Sequence, residues 1–324
     1  MSVIKIRTIK TQRLLLLSII IFLMMAVMGC SNSASKSPAT GDMSPRDKGV
    51  ESVSVNNINS SSTKSIPDQN LALLSPDIKH IKEKGKLVVA MFWQDRPPFF
   101  YSDQAGNLVG IDVNLAKDIA KYLAVDVEFD RSSRSFEEVV NKVVQGQADL
   151  GISKLSVTLA RAQRASFTQP YVSFQQGLLV NRLLLESILQ AHAVTADATE
   201  QIINTSQKIG VLDNTSYVEY AEILFPNAKI IKYNSLPELI AAVRSGEILA
   251  VLYDENELNM QINQSPDLLI YTKLFILKNR VDQIAIAVAP DNTNLLAWLN
   301  TYLTIMKKDQ VVQQIVQNYS KGVK

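Results

Sequence analysis

One arginine stands where this sequence could build a site for a small anion. Arg161 follows Thr158 by three residues, and Thr158 suits the N-cap of a helix that begins there. The first N–H groups of a helix have no partner within it, and a guanidinium can donate two parallel hydrogen bonds to a carboxylate. Arg161 and this helix start could therefore converge on one anion. The other interpretation is a surface salt bridge, a role that suits the nearby Arg164 better.

Two further segments carry polar groups at or after the ends of predicted strands. Residues 213–216 (DNTS) follow the apolar run KIGVL and open a predicted helix, so hydroxyl and N–H groups gather there. Asp254 ends the run LAVLYD, and ligands of α/β proteins bind in the crevice outside the carboxyl ends of the strands. The alternatives are an ordinary N-cap at 213–216 and a solvated carboxylate at Asp254.

The chain offers little material for other kinds of site. It has one cysteine, Cys30, and two histidines, His80 and His192, so a histidine-rich metal centre or a serine–histidine triad is not expected. The formal net charge of +2 gives no case for nucleic-acid binding. We therefore expect a protein that binds rather than converts, with no cofactor and no metal.

The N-terminus has the pattern of an export signal. Basic residues between Lys5 and Arg13 precede an uncharged run at 14–27, which ends shortly before Cys30. A plain transmembrane anchor is the alternative, but about 14 apolar residues fall short of the ~20 that span a bilayer. The arrangement around Cys30 resembles the lipobox of bacterial lipoproteins. It implies a signal peptide at 1–29 and a lipidated, palmitate-bearing Cys30, and hence an exported protein anchored to the cell envelope.

Composition and periodicity predict the organisation of the rest. Residues 30–70 are rich in Ser, Asn, Thr and Pro, which is typical of a flexible linker. Strands and helices then alternate in two similar sets, which predicts an α/β protein of two lobes with a cleft between them. We expect one lobe to comprise 71–180 plus 282–324 and the other 181–281. The chain would cross between lobes at 177–182 and near 278–281, and the region around 183–207 is less regular. The predicted strands are 87–92, 125–130, 149–153, 177–182, 208–212, 230–233, 249–253 and 284–289. The predicted helices are 112–123, 136–144, 216–225, 236–245 and 255–264, with one or two closing helices within 294–319.

Several short motifs, in this order and spacing, carry a family likeness. They are Pro98-Phe99, Gly110-Ile111-Asp112, Ala148-Asp149-Leu150, Ser156-x-Thr158-x-x-Arg161 and Phe167-Thr168-x-Pro170-Tyr171. With them, residues 85–320 resemble the family 3 bacterial extracellular solute-binding proteins, the polar-amino-acid receptors of ABC importers. The resemblance implies a type II periplasmic-binding-protein fold, in which each lobe is a mostly parallel sheet flanked by helices and hinge strands join the lobes.

The resemblance also implies roles for individual residues. It places the α-carboxylate of the ligand on Arg161, with Ser156 beside it and Thr215 and Ser216 closing from the other lobe. Asn214 stands where the family usually has glycine, which is tolerable because asparagine readily visits left-handed backbone. Asp254 matches the acid that holds the ammonium of the ligand.

Four other residues bear on side-chain selectivity. Lys154 stands where the family commonly has a small or hydroxylated residue, and Arg96 stands where an aromatic lid is common. The two cations could favour an acidic or amide ligand, or they could be held by acidic neighbours, namely Asp95, Asp103 and Glu128. Trp93 and Phe136 could be apolar walls of the pocket or plain core residues.

We therefore expect a monomeric, lipid-anchored receptor for a small polar solute, with an amino acid as the expected solute. It would close on its ligand and deliver it to the permease and ATPase of an ABC importer. A sensory lipoprotein without an importer is a second hypothesis. A dehydratase-like enzyme on the same fold is a third, with Asp254 and Glu128 as the candidate acids.

Overall fold

The computed structural model describes residues 71–191 and 198–320. The predicted signal peptide, Cys30, the linker to residue 70 and His192 lie outside the described residues.

Twelve strands and thirteen helices make up these ranges. The strands are β1 Lys86–Phe92, β2 Tyr101–Ser102, β3 Leu108–Val109, β4 Asp126–Ser133, β5 Leu150–Gly151, β6 Ser166–Phe167, β7 Val172–Asn181, β8 Lys208–Leu212, β9 Lys229–Tyr233, β10 Ala250–Asp254, β11 Thr272–Ile284 and β12 Ala287–Val288. The helices are a 3₁₀ turn Leu71–Leu73 and the α-helices Pro76–Lys84, Ile111–Leu123, Phe136–Val144, Leu159–Ala162, Arg182–Ala191, Ala198–Ile203, Tyr217–Leu224, Leu236–Ser245, Glu255–Gln264, Leu268–Tyr271, Thr293–Ile305 and Lys308–Ser320.

Two five-stranded sheets form the centres of two lobes. Their strand orders are β4-β1-β5-β12-β6 and β11-β7-β10-β8-β9, and β2 and β3 form a separate small ribbon. In each large sheet four strands run in one direction, while β12 or β7 is antiparallel to both of its neighbours. The predicted fold class, two lobes with mostly parallel sheets and flanking helices, is confirmed.

The helices form where the sequence combines a cap with an apolar face. Ser135 accepts a hydrogen bond from the Glu138 N–H at the start of Phe136–Val144, and the buried side chains of that helix recur at helical spacing. Ser235 caps Leu236–Ser245 in the same way through the N–H of Glu238. Each such helix turns its apolar face towards its sheet, which fixes the loops at the strand ends.

Two adjacent strands connect the lobes. β7 and β11 pair antiparallel along their whole length, with a register shift between Leu277 and Val281. The first part of β7 packs into one hydrophobic core and its last part into the other. Because both strands contribute to both cores, the lobe limits at 180/181 and 281/282 stay a prediction.

Several segments differ from the expected secondary structure, among them 183–207 and 284–289. The region expected to be less regular, around 183–207, contains most of the helix Arg182–Ala191 and the helix Ala198–Ile203. The strand expected at 284–289 is instead the end of β11 followed by the two-residue strand β12. The apolar letters of IAIAVA indicated burial correctly, but they could not show that the chain changes sheets inside the run.

Candidate functional site

Arg161 is buried and held at two of its three guanidinium nitrogens. Its Nε donates to Glu137 Oε1 at 2.8 Å and its Nη1 donates to the carbonyl oxygen of Ser156 at 2.9 Å, while the side chain is 4 % exposed. Among the described residues, nothing accepts a hydrogen bond from its Nη2. The arginine is therefore fixed in orientation with one donor nitrogen to spare.

The local structure around Arg161 matches the expectation in part. The Thr158 hydroxyl accepts the N–H of Arg161 as the predicted N-cap. The helix that follows is a single turn, Leu159–Ala162. The positive charge that faces an anion here is therefore that of the guanidinium, and the short helix adds little to it. Arg164, expected as the salt-bridge residue, does pair with Glu137. Arg161 pairs with the same carboxylate while it also lines the cleft, so the salt-bridge interpretation and the binding interpretation are compatible.

The second lobe brings hydroxyl groups to the same place. Ser216 Oγ donates to Ser156 Oγ at 2.8 Å, which links the two lobes directly. Asn214 has φ +57°, the left-handed backbone anticipated for this position. The Thr215 hydroxyl donates back to the Leu212 carbonyl at 2.7 Å and so stabilises the turn. Ser216 is thus the hydroxyl of this turn that reaches across the cleft.

Asp254 ends β10 and is almost completely buried. Its Oδ1 accepts the N–H of Glu257 and caps the helix Glu255–Gln264. Its Oδ2 accepts from the Nζ of Lys154, which comes from the other lobe, at 3.1 Å. The acid expected to hold the ammonium of a ligand is therefore already bonded to an ammonium of the protein.

Lys154 is held at both ends. Its backbone has φ +47°, and its N–H donates to Asp112 Oδ2 at 2.6 Å. Its Nζ lies 5.3 Å from the ring centroids of both Phe99 and Phe174, within the range of cation–π attraction. Burial is the largest single influence and acts to lower the pKa of Lys154, but the neighbouring acidic groups, Asp254 foremost, together outweigh it and the pKa lies above its ordinary value.

Asp112 has a role that its sequence position did not reveal. Its place in the first turn of the helix Ile111–Leu123 suits an acid at a helix N-terminus, yet Asp112 is completely buried and accepts from the Tyr171 hydroxyl and from the Lys154 N–H. Burial raises the pKa of Asp112 to about 7. The preceding Gly110 has φ +127°, and a Cβ there would lie 2.3 Å from the Phe99 carbonyl oxygen, so glycine is required for this packing.

Sequence reasoning missed one acid of the cleft, Asp282 on β11. It is 2 % exposed, it accepts from Ser156 Oγ at 3.1 Å, and the Tyr220 hydroxyl lies 3.1 Å from its other oxygen. Burial raises the pKa of Asp282, although the Ser156 and Tyr220 hydroxyls oppose the shift. The sequence signal that could have found Asp282 is its position between the predicted lobe crossing near 278–281 and the apolar run at 284–289.

Lys154 and Arg96 are not held by the acidic neighbours that were the alternative to a role in selectivity. Neither is held by the side chain of Asp95, Asp103 or Glu128. The Arg96 Nη1 donates to the backbone carbonyl of Asp95, and its guanidinium lies 5.1 Å from the centroid of the Phe92 ring. Lys154 is held by Asp254, the central acid of the cleft.

Eight of the nine residues predicted to bind the ligand line one cavity between the lobes, and their contact with a ligand remains a prediction. They are Arg96, Phe136, Lys154, Ser156, Arg161, Thr215, Ser216 and Asp254, joined by Tyr217, Tyr253 and Asp282. The structure does not bring Trp93 into this cavity. Its side chain is 45 % exposed beneath the guanidinium of Arg134, so it is neither a wall of the cavity nor a core residue.

The cavity is small because the lobes are closed. Its volume is about 30 Å³, roughly that of one water molecule. A larger depression of about 780 Å³ lies beside the helix Lys308–Ser320, where Asp118 and Lys308 pair with each other. The smaller cavity contains Arg161 with its spare donor nitrogen and most of the residues predicted to bind the ligand, so it is the candidate site.

Comparison with known proteins gives the site its context. The sequence model of the bacterial extracellular solute-binding proteins, family 3, matches residues 88–322. The chain belongs to this family. In this fold the residues that follow β5 and β8 and the residue that ends β10 meet in one cleft.

Relatives of this family 3 protein differ in their named ligands. It is 26 % identical to the ABC transporter arginine-binding protein 1 of Escherichia coli K12 over 220 residues, or 68 % of this chain and 84 % of that protein. It is 24 % identical to the glutamine-binding protein GlnH of Bacillus subtilis 168 over 255 residues, or 74 % and 83 %. The solved ancestral amino-acid-binding protein AncCDT-1, described as a precursor of cyclohexadienyl dehydratase, has a TM-score of 0.54 and 25 % identity, covering 72 % of this chain and 94 % of that chain.

Two further findings concern the described residues only. None of their helices has the length and apolar character needed to cross a bilayer. Their His, Cys, Asp and Glu side chains form no group of three or more that could hold a metal ion.

Proposed function

We propose that this solute-binding protein captures a small polar solute through a carboxylate and delivers it to an ABC importer. The observation that carries the proposal is the fixed, buried guanidinium of Arg161, which faces hydroxyls from both lobes in one cavity. A guanidinium with a free nitrogen is suited to a carboxylate. The names of the relatives make amino acids the first solutes to test.

Hinge closure is the proposed mechanism. β7 and β11 cross between the lobes side by side, so rotation about this pair would open the cleft. Closure brings Ser216 against Ser156 and Asp254 against Lys154. The closed form would then be the one presented to the permease.

Export and anchoring complete the proposal. The pattern around Cys30 supports an acylated N-terminus at the extracytoplasmic side of a membrane, with residues 30–70 as the tether. A monomer fits a receptor that must open and present its cleft.

A thermal-shift screen of the purified full chain tests the binding function. The panel would contain the common amino acids and small mono- and dicarboxylates. A ligand at a hundredfold excess over its Kd adds about 2.7 kcal/mol of stability, so binding would be visible. Arg161→Ala should abolish the shift, whereas Arg164→Ala, which removes the exposed partner of the same Glu137, should retain it. A shift indifferent to Arg161 would contradict the proposed site, and no shift with any carboxylate would contradict the proposed function.

One observation favours a second candidate, an enzyme on the same fold. Asp282 is a buried acid of the cleft with a raised pKa, as a general acid requires, and AncCDT-1 is described as a precursor of a dehydratase. Glu128, considered earlier, is exposed and paired with Lys86. Turnover of a prephenate-type acid that is lost in Asp282→Asn would support this candidate, and absence of turnover would remove it.

A further inference from the structure

The acid that should receive the ammonium of an amino acid is occupied from within. Lys154 Nζ lies 3.1 Å from Asp254 Oδ2, and the two side chains are 16 % and 3 % exposed. The other oxygen of Asp254 accepts the Glu257 N–H. Both oxygens of this carboxylate thus already have a donor from the protein.

Contacts with its own lobe and with β7 hold Lys154 in a fixed position in the site. Its N–H is bonded to the buried Asp112, and its Nζ lies against the rings of Phe99 and Phe174. These contacts all come from its own lobe or from β7, so they do not depend on closure alone. Whenever the lobes close, the ammonium of Lys154 is therefore already in position to contact Asp254.

An incoming ammonium would meet a like charge at this point. It would have to share Asp254 with Lys154, and two cations within a few ångströms in a buried site disfavour each other. Asp282, the second acid of the cavity, already accepts from Ser156 and faces Tyr220.

The charge of the cavity leads to the same conclusion. Its lining contains three basic side chains, Arg96, Lys154 and Arg161, and two acidic ones, Asp254 and Asp282. Arg161 is paired outside the lining with Glu137, whereas both acids of the lining already accept from donors of the protein. The cavity therefore offers a donor nitrogen to a carboxylate, but it offers an ammonium no carboxylate without a partner.

We propose that the ligand is an organic acid that carries no ammonium beside its carboxylate, because Lys154 takes the place of that ammonium on Asp254. A keto acid, a hydroxy acid or a plain carboxylic acid fits this description. The inference rests on the proposed function, since it assumes that Arg161 receives a carboxylate.

Matched pairs of acids test it on the full-length protein by calorimetry. The probes are alanine against pyruvate and lactate, and glutamate against 2-oxoglutarate and glutarate. Each pair keeps the carboxylate and the carbon skeleton and changes the amino group. The expected result is that at least one acid without the amino group binds at least tenfold more tightly than its amino acid.

Variants of Lys154 make the test specific. Lys154→Met keeps the length and removes the charge, and Lys154→Gly also suits the left-handed backbone, so it serves if the methionine variant does not fold. Either change frees Asp254 and should shift the preference towards the amino acid by tenfold or more. Lys86→Met is the control, because Lys86 pairs with Glu128 in an exposed position. It should leave the preference unchanged.

The outcomes separate the two proposals. Tighter binding of the amino acid by the unaltered protein would overturn the organic-acid inference and leave the proposed function standing. The same preference in the protein and in both Lys154 variants would also overturn the inference. If no acid of either kind binds, the proposed function fails and the inference fails with it.

Discussion

The two ends of the cleft hold buried charges in different ways. At one end Arg161 is braced by Glu137, whose side chain is 50 % exposed and does not line the cavity. At the other end Asp254 is bonded to Lys154, which lines the cavity itself. Both charges are paired, but the partner of Arg161 lies outside the cavity and the partner of Asp254 lies inside it.

The difference shows that burial alone does not tell which charge can bind a ligand. A charge whose partner lies outside the cavity keeps a free side towards it, as Arg161 does with Nη2. A charge whose partner lies inside the cavity is available only if that partner moves. The position of the partner therefore decides how each end of the cleft is used.

The largest expected effect comes from breaking the pair at the acidic end. Asp254→Asn keeps the N-cap, since Asn and Asp cap helices equally well, but leaves the buried Lys154 without its counter-charge. Removing one partner of a buried pair costs about 3–5 kcal/mol, so the free energy of unfolding should fall by that amount in urea titrations.

The exposed pair Lys86–Glu128 provides the control for this prediction. Glu128→Gln should change the free energy of unfolding far less than Asp254→Asn, because solvent screens an exposed pair. Equal effects of the two changes would contradict the view that Lys154–Asp254 is a buried, structural pair.

The next effect concerns Asp112, which fixes the backbone of Lys154. Its carboxyl has a pKa of about 7 in the folded protein and near 3.8 when unfolded, so the folded state retains a proton that the unfolded state has lost. Stability from this group is complete below pH 4 and is lost as the pH rises to 7, at roughly 1.4 kcal/mol per pH unit. Between pH 5 and 7 the loss should be on the order of 2 kcal/mol, and Asp112→Asn should remove it.

Asp118 is the matched control for that experiment. Burial opposes the charged form of Asp118, but Lys308 and Tyr302 donate to it and the pKa is lowered. Asp118→Asn should therefore leave the decline between pH 5 and 7 in place. Persistence of the decline in Asp112→Asn would assign it to another group.

A smaller effect is expected from changing the geometry of the basic end while keeping its charge. Arg161→Lys retains a cation but loses the planar fork that contacts Glu137 and Ser156 together. The affinity for the ligand found in the screen should fall about tenfold, about 1.4 kcal/mol. Calorimetry would measure the fall, and Arg164→Lys should cause none. An unchanged affinity in Arg161→Lys would show that the site needs only a charge.

The smallest effect should come from the bond between hydroxyls at the middle of the cleft. Ser216→Ala removes the donor to Ser156, a loss of about 1 kcal/mol for the closed state. X-ray scattering in solution should show a larger radius of gyration without ligand. Ser245→Ala, which removes a bond within one helix, should not change the radius. Equal radii for both variants would mean that this bond does not hold the lobes.

Much of the fold could be predicted because its signals are local. The helix Phe136–Val144 and the strand β8 follow from periodicity within about ten residues. The left-handed backbone at Asn214 follows from the family likeness, which usually has glycine there. Arg161 could be singled out by its spacing from a predicted N-cap, and Asp254 because it stands at the end of a predicted strand.

The pairs within the site could not be predicted, because they join distant parts of the chain. Lys154 and Asp254 are separated by 100 positions, and nothing in either local pattern indicates that they meet. Asp282 reaches Ser156 across 126 positions, through the register of β11. Trp93 was misplaced for the same reason, since only the path of the loop after β1 decides whether its ring faces the cleft.

The left-handed backbone of Lys154 has an evolutionary consequence. At φ +47° the best residues are glycine and asparagine, and a lysine codon becomes an asparagine codon through the change of its third base. One such mutation would relieve the backbone and remove the cation from the cleft at once. Under the proposed role of Lys154, a single nucleotide change would therefore alter the ligand preference at a position where the backbone suits the new residue.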